Sequence, residues 1–146
     1  MEKVVRRTLA ALAIAAAAGG CGSTAGSGGG KEPDPSNELP LGFVDMPSAN
    51  AVVPPQFPAA GWALDDTGIA VVRLYVDGRY VASTHLETDR PDVTKAFPQY
   101  TAEGNRHGWQ AMLKVDRPGP HTLIVQAVDK AGATRDLGVV PFTVKP

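Results

Sequence analysis

Apolar side chains return at every second position in four separate runs of this chain, a period that suits strands and that no helix presents as one face. In Ile69–Val76 (IAVVRLYV), Val72, Leu74 and Val76 share one side, and Arg73 and Tyr75 share the other. Asp77-Gly78 follows, a dipeptide suited to the two positive-φ positions of a tight hairpin turn, and Arg79–Thr84 returns as the partner strand. Trp109–Val115 sets Trp109, Ala111, Leu113 and Val115 together, His121–Val128 does the same with Leu123, Val125 and Ala127, and Val139–Val144 ends the series. With Gly42–Met46 and Gln56–Leu64 added, about seven strands separated by turn signals predict an all-β antiparallel sandwich over residues 41–146. The 16 Gly and 13 Pro with only 20% charged residues point the same way, toward short strands rather than long helices.

The amino terminus carries a different signal. Lys3, Arg6 and Arg7 precede an apolar run from Leu9 to Ala18, the layout of a secretion signal over residues 1–20. That run is too short for a spanning helix, which needs about 20 apolar residues, and Gly19, Gly20 and Gly22 interrupt it. Ala18-Gly19-Gly20-Cys21 resembles a bacterial lipobox, with Ala18 where that family usually has Leu. The resemblance implies that Cys21 is the lipidation site, diacylated on sulfur and acylated again on its new amino group after signal cleavage. It also implies delivery to the outer membrane of a two-membraned cell, because Gly22 rather than Asp follows the cysteine. The competing reading is a plain secretory signal with an incidental cysteine. One acyl chain holds a protein only marginally, whereas two or more anchor it stably. Arg6-Arg7 also resembles the core of a twin-arginine signal, without the rest of that motif.

Loss of residues 1–20 removes Lys3, Arg6, Arg7 and Glu2, which takes the net charge from −1 to −3. No basic surplus is left to neutralise phosphates, which argues against nucleic acid and against electrostatic attachment to anionic lipid. A single cysteine can form neither an internal disulfide nor a zinc cluster. Residues 21–40, rich in Gly, Ser and Pro after Cys21, are expected to act as a flexible tether of roughly 25 Å span.

Within residues 41–146, four stretches resemble a bacterial immunoglobulin-like domain of the cell-envelope type: Gly61-Trp62-Ala63-Leu64-Asp65-Asp66-Thr67-Gly68-Ile69, Leu74-Tyr75-Val76-Asp77-Gly78, Pro118-Gly119-Pro120-His121-Thr122-Leu123 and Ala127-Val128-Asp129-Lys130-Ala131-Gly132. These are turn and core motifs, so the resemblance implies a fold and no activity. It implies that Trp62 is the buried aromatic between the sheets. It also implies that His121 takes the corner position, bonding back to the chain.

Asp65, Asp66 and Asp129 sit in two acidic turns expected at one end of the sandwich. Their simplest role is to cap backbone amides, with a shared calcium ion as the alternative. His85 and His107 have no spaced metal-ligating partner. No nucleophile elbow, zinc-protease motif or phosphate-cradling loop is present, so no catalytic residue and no cofactor is predicted.

Thr88–His107 is a twenty-residue connection, longer than loops without function usually are. Pro91 at a first helical position and the Val93/Phe97 pair predict a short helix that Pro98 stops, with Phe97 lying over the sandwich and Arg90 pairing with an Asp. Besides that scaffold role, Arg90, Tyr100, Asn105, Arg106 and His107 are the candidate partner-binding patch. The expected function is a membrane-anchored, non-catalytic interaction module of the cell envelope with an envelope protein as partner. The alternative is a carbohydrate-binding accessory that uses Tyr75 and Tyr80 as a stacking platform.

Overall fold

A computed structural model describes residues 34–146. The signal segment, Cys21 and the first part of the tether lie outside the described residues. Among the described residues, no helix is long and apolar enough to cross a membrane.

Alternation decides the architecture. Among the described residues, nine strands form two sheets: β1 (Leu41–Met46), β2 (Ala51–Val53), β3 (Gln56–Leu64), β4 (Ile69–Val76), β5 (Arg79–Thr84), β6 (Thr88–Asp89), β7 (Arg106–Lys114), β8 (Gly119–Asp129) and β9 (Thr134–Val144), with α1 (Pro91–Ala96) between β6 and β7. One sheet has the order β1-β3-β7-β6, the other β2-β9-β8-β4-β5. Every pairing is antiparallel except β2 with β9. The expected hairpin is present, with Asp77 at φ 52° and Gly78 at φ 78°, a pair of conformations that Asp and Gly reach at least cost.

The inward faces follow the period-two reading on β4 and β8, where Val72, Leu74, Leu123, Val125 and Ala127 are fully buried. Two assignments need correction. Trp62 does not fill the space between the sheets. On β3 the inward parity belongs to Phe57, Ala59 and Ala63, so Trp62 points outward, half-buried beneath Phe97 of the helical crossover at 5.5 Å between ring centroids. The interior aromatic is Trp109 on β7, 1% exposed.

Gly61, directly opposite Trp109 in the β3–β7 ladder, makes room for it. A Cβ at Gly61 would lie 2.6 Å from Trp109 Cζ2 and would also run into the Phe43 carbonyl oxygen. Phe57 and Phe142 close the far end of the core with ring centroids 5.1 Å apart. With no internal disulfide available, burial of this set holds the sheets together, each full-size aliphatic or aromatic side chain contributing about 1.5–3 kcal/mol.

The second correction concerns strand count and limits. β2 and β6 are three and two residues long, too short to show a period, and β9 starts at Thr134 rather than Val139. The polar stretch Thr134–Asp136 has no apolar face to announce it, yet Gln126, Ala127 and Val128 of β8 pair with it. β7 likewise begins at Arg106, ahead of Trp109.

Substituting Gly61→Ala should cost about 1–3 kcal/mol, because Trp109 is held between two sheets and cannot retreat. Urea unfolding followed by circular dichroism should show the midpoint fall with an unchanged slope.

Candidate functional site

Topology gives the sandwich two poles. β1 begins opposite the end of β3, so residues 34–40 lie at the pole with the β3–β4 and β8–β9 turns. The Asp77-Gly78 hairpin and the β7–β8 link form the other pole.

At the first pole the acidic turns are structural clamps. Asp65 Oδ2 accepts from the Thr67 amide at 2.8 Å and from Thr67 Oγ1 at 2.7 Å. Asp129 Oδ1 accepts from the Ala133 amide at 2.8 Å, and its Oδ2 accepts from Asn37 Nδ2 at 2.7 Å. The Lys130 amide donates to the Gly68 carbonyl at 2.9 Å, joining the two turns. Glu103 accepts from the Ile69 amide and pairs with Lys130 at 3.3 Å.

Asp65 and Asp129 are buried, whereas Asp66 is exposed. Among the described residues, no group of three or more His, Cys, Asp or Glu side chains gathers as a metal-holding set. Burial, more than the nearby Asp129 and Asp66 charges, raises the Asp65 pKa above the ordinary 3.8, and the Thr67 hydrogen bonds only partly offset it. Residues 34–40, read from sequence as tether, are held onto this pole by Asn37 and by Glu38, which accepts from the Tyr100 hydroxyl at 2.8 Å.

The proposed patch in the long crossover does not assemble. Arg90 is consumed internally: Nε and Nη2 grip Asp92 at 2.9 and 2.8 Å, and Nη1 reaches Asp45 on β1 at 2.8 Å. The guanidinium holds the Asp92 carboxyl down at about 2. Tyr100 is engaged with Glu38 and packs edge-on against Phe97 at 6.4 Å. His107 is 1% exposed, because it shares inward parity with Trp109. Of the five, Asn105 and Arg106 are exposed, and Arg90 and Tyr100 are half-buried. The crossover therefore acts as a brace from β6–β7 to β1.

Tyr75 and Tyr80 pair across the hairpin with ring centroids 5.9 Å apart and planes at 73°, edge to face rather than coplanar. His85 Nδ1 donates to the Ala70 carbonyl at 2.9 Å.

His121 does bond back to the chain. Its Nε2 lies 2.7 Å from the Arg117 carbonyl and its Nδ1 lies 2.6 Å from Asp77 Oδ2, while the ring stacks on Phe142 at 5.6 Å. Both partners are acceptors, so both ring nitrogens must donate, which selects the imidazolium form. The hydrogen bond to Asp77 is the main cause of a raised His121 pKa, and the same bond, with one from the Thr122 amide, lowers that of Asp77.

The fold defined by these sheets is the immunoglobulin and fibronectin type III class of β-sandwich. Among solved structures, the chain is similar to fibronectin(III)-like modules of CbhA from Clostridium thermocellum, with a TM-score of 0.51 at 22% identity over 73% of this chain. It spans 47% of that chain. No family model and no curated protein matches the sequence.

Two pH dependences follow. Because His121 is raised above 6.5 in the folded state, its contribution is complete below the unfolded pKa and is lost as pH rises through the folded one. The urea midpoint should therefore fall as pH is raised from about 6 to 8, and Asp77→Asn, which keeps the left-handed turn residue, should flatten that slope. Asp65 behaves oppositely to a salt-bridged carboxylate. The folded state holds its proton longer than the unfolded one, so stability declines as pH rises above 3.8 toward the folded value. Asp65→Asn should be more stable than wild type at pH 7, with the gap closing at pH 4.

Proposed function

We propose that this protein is a lipid-anchored, non-catalytic interaction module of a bacterial cell envelope, carried on the outer membrane. The observation that carries the reading is the position of the chain's one cysteine. Cys21 follows a charged, then apolar, then small-residue run and precedes a tether and a single sandwich. That order fits an acylated cysteine better than a core thiol, since no cysteine is left for the domain to pack or oxidise.

The sandwich itself supports presentation rather than chemistry. Its histidines are tied into the fold or buried, and its buried carboxylates cap turns. Likeness to a fibronectin(III)-like module adds a fold that suits protein or carbohydrate contact. Between those two, a protein partner is favoured. A sugar ring stacks best on a flat aromatic face, and the Tyr75–Tyr80 pair is edge to face at 73°.

Fractionation separates the anchored from the secreted reading. Wild type should sediment with membranes and need detergent for release, and Cys21→Ala should appear in the soluble fraction. Equal partition of the two proteins would defeat the proposal.

A further inference from the structure

The pole farthest from residues 34–40 carries an open groove of about 420 Å³ between the β4–β5 hairpin and the β7–β8 link. Its apolar lining is Val76, Val81 and Val115. Val81 is there because of a register shift: Leu74 pairs with Ala82 but Tyr75 with Tyr80, leaving Val81 as an extra, bulged residue that is 41% exposed. Bulges commonly re-aim a side chain in this way.

The groove also carries Arg79, Lys114 and Arg117. Its two carboxylates are already engaged. Asp77 accepts from His121 and from the Thr122 amide, and Asp116 pairs with Lys114 at 3.5 Å. Among the described residues, Arg79 and Arg117 have no carboxylate within ion-pair distance, and both are exposed. Two exposed guanidinium groups beside aliphatic side chains, Arg117 also feeling the Asp77 charge, form a local inversion of field on a chain whose net charge is negative.

We infer that this groove docks an acidic peptide segment of a partner protein, with carboxylates on Arg79 and Arg117 and aliphatic side chains on Val76, Val81 and Val115. Charge complementarity selects the acid, since a guanidinium takes a carboxylate through two parallel hydrogen bonds. The lining selects peptide over polysaccharide. It offers no free aromatic face for a sugar ring, because the His121 ring is already stacked on Phe142. The site would lie at the pole opposite residues 34–40. The inference deepens the interaction-module reading and rests on it, but attachment to a membrane plays no part in its test. A soluble Cys21→Ala protein would remove the anchor and leave the groove to be judged separately.

The test titrates the isotope-labelled full chain in detergent with a synthetic Glu-Val-Glu-Val-Glu peptide. Backbone amide shifts should concentrate at residues 76–81 and 114–117 and should weaken as salt is added. Arg79→Ala with Arg117→Ala should weaken binding by about tenfold or more, with amide shifts elsewhere unchanged because, among the described residues, neither guanidinium forms a salt bridge. A Lys-Val-Lys-Val-Lys peptide should give no such shifts. The inference is overturned by an absence of shifts at the groove, by equal response to the lysine peptide, by binding of polygalacturonate there in place of the peptide, or by undiminished binding in the double variant.

Discussion

Everything in this sandwich depends on Trp109 lying in the notch that Gly61 leaves on the neighbouring strand β3 of the same sheet. Among the described residues the indole is the largest fully buried side chain, and Gly61 beside it has no side chain to contest the space. Close packing turns that fit into rigidity, because interiors at crystal-like density have few voids to absorb a misplaced ring. The aromatic pair Phe57–Phe142 does the corresponding work at the other end. Between the two, the fully buried aliphatics of β4 and β8 give the second sheet a continuous apolar face. A domain without a disulfide therefore keeps its sheets in register through shape alone.

With the core fixed, the polar residues divide between two jobs at two ends. At the pole that carries residues 34–40, carboxylates of Asp65 and Asp129 satisfy turn amides, and Asn37 and Glu38 fasten that stretch. Burying Asp65 costs stability at neutral pH. The Arg90 brace adds a link from the crossover to β1. At the opposite pole, His121 pairs with Asp77, and among the described residues Arg79 and Arg117 have no carboxylate within ion-pair distance. One end is closed by internal bonding, and the other carries the exposed Arg79 and Arg117.

Much of the fold was legible because its signals are local. The β4–β5 hairpin reads directly from alternation on both sides of Asp77-Gly78, and α1 from Pro91 and the Val93/Phe97 spacing. Trp62 misled because tryptophan in such a motif suggests core. Counting parity from Phe57 puts it on the opposite face of β3, and the same count from Trp109 puts His107 inside. β2, β6 and the first half of β9 carried no period to find. The internal pairing in the crossover was hidden for a different reason: sequence names the residues of a loop but not their partners, and Arg90 finds Asp45 across 45 positions. The distal groove was invisible for the same reason, since it joins Val81, displaced by a bulge, to a turn more than thirty residues away.

The central physical claim is that packing alone makes the two sheets one cooperative unit. Native-state hydrogen exchange resolved by residue tests it directly. The account predicts that the buried amides of β3 and β7 in one sheet, and of β4 and β8 in the other, share a single slowest exchange free energy equal to that of global unfolding. Distinct free energies for the two sheets, with one exchanging through a partial opening that leaves the other intact, would contradict it.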